Sequence, residues 1–159
     1  HADRVRGANI AQMVNVLQAM VLTDGPRMVL TPTYHVYKMY VPFQDASFVP
    51  VTFNAGSYSH GSISLPRVDA IAAREASGKL LLAVTNLDPN QAIEIEATLG
   101  GIAGSSGVGE SLSAPKVDSV NTFDSPNTVV PKPIPVKIQG GKLTMRLEPK
   151  SVTVVSVTQ

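Results

Sequence analysis

Apolar residues near the start of the chain recur at Val5, Ala8, Ile10, Ala11, Val14, Leu17 and Val21. Steps of three and four place most of them on one helical face, with Asp3 as a suitable cap. Read from period alone, this is a helix from Asp3 to about Val21. Asp24-Gly25-Pro26 then breaks the chain. Thr31-Pro32 starts a second helix. Thr31 supplies a capping oxygen, and Pro32 sits where no amide hydrogen is needed. That helix carries Val36, Tyr37, Tyr40 and Val41 and stops before Pro42.

Beyond Ala46 the period changes to two. Ser47 to Phe53 reads as a strand, with Phe48 and Phe53 in the core. Val68 to Glu75 and Lys79 to Leu87 follow as strands joined through Ala76-Ser77-Gly78. Gln91 to Leu99 alternates, with Ile93, Ile95 and Ala97 on one side and Glu94 and Glu96 on the other, as in a sheet with one wet face. Residues 100–109 are rich in Gly and Ser and read as a mobile loop. Lys116 to Phe123 is a further strand candidate. Pro126, Pro131, Pro133 and Pro135 make the next stretch extended and ill suited to a central strand. Gly140-Gly141 turns Val136–Ile138 back onto Lys142–Leu147, and Ser151 to Val157 is a final β-branched strand. Short strands at regular intervals make the chain mainly β, an antiparallel β-sandwich. The two helices before it cannot form a domain by themselves. They must pack on the sandwich or on something outside this chain.

Composition narrows the function. A net charge of +1 with no basic run gives no footprint for nucleic acid. No apolar stretch is long enough to cross a bilayer as a helix. There is no Cys, which excludes disulfides and thiolate metal sites and fits a reducing cytoplasm, although a disulfide-free secreted protein would look the same. His1, His35 and His60 have no metal-ligand spacing, and there is no phosphate loop, nucleophile elbow or dinucleotide fingerprint. His35, alone at a helix start, reads as a packing or surface residue. Aromatics are only 5%, without Trp, which counts against a free-standing sugar-binding module. The chain begins at His1 rather than Met and is expected to be truncated or processed.

Several stretches resemble the family-51 glycoside hydrolases that are α-L-arabinofuranosidases. They are Ala-Asn-Ile-Ala-Gln-Met-Val-Asn-Val-Leu-Gln at 8–18, Leu-Thr-Asp-Gly at 22–25, Met-Val-Leu-Thr-Pro-Thr-Tyr-His-Val at 28–36 and Gln-Asp-Ala at 44–46. Further on, Val-Asn-Thr-Phe-Asp-Ser-Pro-Asn-Thr-Val-Val-Pro at 120–131 and Leu-Glu-Pro-Lys-Ser-Val-Thr-Val-Val at 147–155 are similar to the family's late sandwich. The resemblance implies a jelly-roll-like sandwich preceded by the last helix-strand-helix portion of a (β/α)8 barrel. Residues 1–45 would end the catalytic barrel, and 46–159 would form the C-terminal sandwich. Within the first part, 3–13 would be a helix, 14–18 the eighth barrel strand and 32–41 the last barrel helix. This shortens the helix read from period alone.

The resemblance also implies chemistry. Such enzymes are retaining hydrolases with an acid/base and a nucleophile carboxyl about 5 Å apart. Both glutamates would lie upstream, so no residue here is catalytic and the segment alone is expected to be inactive. Glu94 and Glu96 look like a pair, but alternation on a solvated sheet face accounts for both. Gln18, at the top of the implied eighth strand, matches a glutamine that hydrogen-bonds the arabinose, because barrel sites are built at that end and an amide both donates and accepts. Its other reading is a buried amide satisfied by backbone. Asn15 and Gln12 read as structural. The substrate would be an arabinose-containing oligo- or polysaccharide, with no cofactor or metal. The whole enzyme would be a cytoplasmic homo-oligomer, commonly a hexamer. Gly7 departs from the family, which has a larger apolar residue there, and costs about 1 kcal/mol inside a helix. The alternative function is a non-catalytic sandwich that binds carbohydrate or protein, for which exposed aromatics such as Tyr58, Phe48 or Phe53 would speak.

Overall fold

The computed structural model describes residues 4, 5, 7–100 and 106–158. Two antiparallel sheets stack face to face. The larger runs in the order β10 (Lys132–Ile134), β9 (Ser106–Leu112), β13 (Ser151–Thr158), β7 (Leu80–Asn86), β6 (Val68–Arg74), β3 (Ser47–Val49). The smaller runs β11 (Lys137–Gln139), β12 (Lys142–Leu147), β8 (Ile93–Thr98). Two ribbons complete the strands, β1 (Val21–Asp24) with β2 (Arg27–Leu30) and β4 (Ser57–His60) with β5 (Ile63–Pro66). Among the described residues one α-helix, α1 (Pro32–Tyr40), runs into a 3-10 turn at Val41–Phe43.

The larger sheet is covered on both faces. Its inner face meets the smaller sheet, with Leu80, Leu82, Val84, Val155 and Val157 packed against Leu143, Met145 and Leu147. Its outer face carries Ala83, Leu112 and Val154 under Met39, Val36 and Tyr40 of α1 and under Val129. Double coverage explains why Leu80-Leu81-Leu82-Ala83-Val84 shows no polar alternation, whereas β8 alternates strictly. The outer positions of the smaller sheet form an ion-pair ladder: Lys142 Nζ donates to Glu96 at 2.7 Å, and Arg146 pairs with Glu94 at 3.4 Å and Glu148 at 3.0 Å. Glu94 and Glu96 are therefore solvated sheet residues.

Several expectations need correction. The Gly-rich stretch is a strand from Ser106 onward, and the earlier part of the expected loop, 101–105, lies outside the described residues. At Gly107 and Gly109 a Cβ would stand 2.8 Å from Val136 or Ile134 side-chain atoms. Glycine lets the crossing segment 134–136 press onto the strand as the chain passes from the larger sheet at β10 to the smaller at β11. Pro133 lies in β10, at the sheet edge where proline is tolerated. Residues 116–123 form turns rather than a strand, because Asn121 is drawn inward by hydrogen bonds. The strand at 47–53 ends at Val49. Phe48 pairs with Ala73 on the outer face and is 59% exposed, and Phe53 is 49% exposed, so neither is core.

The helix expected over 3–13 is not formed, nor is the longer one read from period; none of the described residues before Val21 is helical. Isolated helices of that length draw their stability from burying an apolar face. Here Met13, Val14 and Leu17 remain exposed, Leu17 at 91%. In place of a regular strand at 14–18, Val14 makes one parallel bridge to Val21, and a turn follows.

Candidate functional site

Thr31 organises the segment that presents Gln18. As the N-cap of α1, its Oγ1 accepts from the Tyr34 amide at 3.4 Å. The same hydroxyl donates to the Ala19 carbonyl at 2.8 Å, and the Thr31 amide donates to the Met20 carbonyl at 3.0 Å. The two carbonyls that follow Gln18 are thus fixed to the helix that lies on the sandwich. Before Gln18, Val21 N donates to Met13 O at 2.9 Å and Asn15 N to Val21 O at 3.1 Å. Asn15 Oδ1 accepts from Thr23 N at 2.7 Å, and its Nδ2 donates to Thr23 Oγ1 at 2.9 Å. Asn15 is structural in this arrangement.

Gln18 itself stands on the turn between these anchors, with Ala19 N donating to Val16 O at 3.0 Å. Its φ is +60°, a left-handed conformation that a residue other than glycine adopts at some cost. The side chain is exposed and makes no hydrogen bond among the described residues, so the buried-amide reading is not realised in this chain. The turn is bordered in sequence by the exposed apolar side chains Met13, Val14 and Leu17.

A second set of contacts clamps this unit from the far end of the sequence. Asn121, 4% exposed, donates through Nδ2 to Leu30 O at 2.8 Å and to Val129 O at 2.9 Å, and accepts from Val129 N at 2.7 Å. Arg27 lies over the Phe123 ring at 4.8 Å from its centroid and faces Asp124 at 3.9 Å. Sequence reasoning missed the role of Asn121. Its neighbours Val120 and Thr122 favour a strand and gave no local signal of that role.

His35 sits at the start of α1, partly covered. Burial and then Lys38 hold its pKa below the usual histidine value, against the pull of Glu110. Burial raises the Tyr40 hydroxyl, opposed by its hydrogen bond with Thr85. These groups support packing of the helix. Among the described residues, no three of His, Cys, Asp or Glu gather where a metal ion could be held. Among the described residues no helix is long and apolar enough to cross a membrane. A cleft between the sheets, about 700 Å³, is lined mostly by aliphatic residues such as Leu82, Val84, Ile93 and Ile95, with Asn54, Glu94 and Glu96 also in its lining.

A family model described as the alpha-L-arabinofuranosidase C-terminal domain matches residues 1–151. An intracellular exo-alpha-L-arabinofuranosidase of Bacteroides ovatus is 39% identical over 159 residues, which is 99% of this chain and 31% of that protein. The crystal structure of a GH51 arabinofuranosidase from Xanthomonas axonopodis pv. citri superposes with a TM-score of 0.94 at 40% identity, covering 99% of this chain and 32% of that one. A family 51 alpha-L-arabinofuranosidase from Bifidobacterium longum shares the fold, with a TM-score of 0.86 at 22% identity. This chain therefore spans about a third of the length of the relatives it matches. The resemblance carried by residues 8–36 and 120–155 is met along the whole chain. The chain belongs to the family of α-L-arabinofuranosidase C-terminal domains.

Proposed function

We propose that this chain is the C-terminal portion of a retaining α-L-arabinofuranosidase. The parent enzyme removes terminal, non-reducing α-L-arabinofuranosyl residues from arabinan, arabinoxylan or arabino-oligosaccharides, without cofactor or metal. Residues 1–45 complete a catalytic barrel, and residues 46–159 form the sandwich behind it. The observation that carries this reading is the state of residues 13–18. A non-glycine turn with left-handed φ is locked from both sides, yet it presents an unpartnered amide next to apolar side chains that nothing here covers. That is the expected surface of an element built to seat against missing barrel strands, with Gln18 directed to a sugar. The relatives named intracellular support a cytoplasmic enzyme. The family resemblance supports a homo-oligomer, a hexamer by that analogy.

Hydrolysis of an aryl α-L-arabinofuranoside tests the reading. The 159-residue chain alone is expected to be inactive, because the acid/base and nucleophile carboxyls lie upstream. In the full-length enzyme, Gln18→Ala is expected to lower kcat/KM about ten- to a hundredfold, the scale of one or two hydrogen bonds gained in the transition state. Unchanged kinetics would remove Gln18 from the site. The second reading, a non-catalytic binding module, draws on the exposure of Phe48 and Phe53. Binding of arabino-oligosaccharide by the isolated chain, lost in Phe53→Ala, would favour it.

A further inference from the structure

Ala19 N donates to Val16 O at 3.0 Å, which makes Gln18 the third residue of a four-residue turn. Its φ of +60° belongs to the conformation that such turns ordinarily give to glycine or asparagine. A glutamine stays there only where its surroundings fix the backbone more firmly than the turn would by itself.

The group that fixes it is Thr31, twelve residues beyond Ala19. Its Oγ1 is 2.8 Å from the Ala19 carbonyl oxygen and 3.4 Å from the Tyr34 amide nitrogen. The Tyr34 N–H can only donate, so the hydroxyl accepts there and its one proton is left for Ala19 O. The short bond is the one to the turn, and the bond that caps the helix is the long one. Ala19 is buried, so water offers its carbonyl no ready substitute for the hydroxyl. The Thr31 amide takes the next carbonyl, Met20 O, at 3.0 Å. One residue thus holds the two successive carbonyls that follow Gln18. Thr31 is itself held, because Asn121 donates to the preceding carbonyl, Leu30 O, at 2.8 Å and α1 packs on the larger sheet through Met39.

We propose that Thr31 is a positioning residue for hydrolysis of the arabinoside. Its hydroxyl sets the orientation of Gln18 toward the sugar, and the sandwich, through Asn121 and α1, is the frame against which that orientation is set. The inference deepens the proposed function and rests on the role given there to Gln18. A helix cap alone would be served equally by a carboxylate; accepting from Tyr34 while donating to Ala19 requires a group that does both.

The test is turnover of an aryl α-L-arabinofuranoside by the full-length enzyme, with kcat and KM measured separately and well below the melting transition of every variant. Thr31→Val removes the hydroxyl at nearly constant shape and is expected to lower kcat/KM about three- to tenfold, mostly in kcat. Thr31→Ser restores the hydroxyl and is expected to stay within about twofold of wild type. In the Gln18→Ala background Thr31→Val is expected to cost nothing further, because a residue that acts only through Gln18 has nothing left to position. Gly109→Ala is the stability control, since its strain falls on the inner face of the larger sheet, away from α1, and its kcat/KM is expected to be unchanged. Gln18→Ala without effect would overturn the site assignment and this inference together. An unchanged Thr31→Val, an undiminished loss in the Gln18→Ala background, or a Thr31→Ser as impaired as Thr31→Val would each overturn this inference alone. An equal loss in Gly109→Ala would also overturn it, by tracing the effect to stability. If Thr31→Val does not fold, Thr31→Asp keeps an acceptor for the cap and turns a carboxylate toward the Ala19 carbonyl. Wild-type kcat/KM in Thr31→Asp would overturn the inference, and a loss that vanishes in the Gln18→Ala background would support it.

Discussion

Replacing Asn121 by Ala removes one tie between the N-terminal unit and the segment at 121–129, while α1 stays packed on the sheet through Met39. Three hydrogen bonds are lost, two donated by Nδ2 and one accepted by Oδ1. They leave the Val129 amide and carbonyl without those partners, at a residue that is 4% exposed. At about 1 kcal/mol net per bond, with an added penalty for stranded buried groups, the loss is about 3 kcal/mol. For a chain of this size that lowers Tm by roughly 6–12 °C. Asn121→Asp sets a buried carboxylate against the Leu30 and Val129 carbonyl oxygens and is expected to cost at least as much. Urea unfolding followed by circular dichroism, with the slope m compared between variants, measures both. A loss below about 1 kcal/mol for Asn121→Ala at unchanged m would refute the reasoning. It would mean that water or a rearranged loop replaces the amide.

Gly109→Ala introduces a Cβ 2.8 Å from Ile134 and Val136 side-chain atoms and is expected to destabilise by about 1–3 kcal/mol, read by the same titration. The depressed pKa of His35 means that the unfolded chain takes up a proton before the folded one does. Stability is therefore fully present above the unfolded value of about 6.5 and falls as pH drops from there toward the folded pKa; His35→Gln should flatten that slope in a pH series of melts. Glu94→Gln and Glu96→Gln are expected to leave both melting and the parent's turnover unchanged, since both carboxylates pair with exposed cations; a large drop in turnover would place chemistry on this face after all.

Much of the sandwich was legible because its strands obey one of two simple rules. β8 alternates because one face is wet, and β12 and β13 are bounded by Gly140-Gly141 and by Pro149. The helix at Pro32 was legible from its cap. Three misreadings share a different cause. Residues 5–21 have helical periodicity, but the surface that would reward a helix is not in this chain. Gly107 and Gly109 looked like linker because the side chains that require them, Ile134 and Val136, arrive from a distant segment. Phe48 looked like core because strand propensity does not say which face a strand turns inward; the pairing with Ala73 decides that. Gln18 was singled out only by family likeness, and the anchoring of its neighbours by Thr31 could only be seen in three dimensions.

The position of β13 has a consequence for the order of assembly. It lies between β9 and β7 and joins the two halves of the six-stranded sheet, with Ser151 opposite Asn86 and Thr158 opposite Ser106. During synthesis, β9 and β10 have no route into that sheet until residues 151–158 have left the ribosome. Until then β7, among the most apolar segments, has one ladder edge open. Such distant pairings are slow to close and leave an aggregation-prone intermediate. The larger sheet is thus expected to be completed late, and a ribosome stalled before Ser151 would hold it in two unjoined pieces.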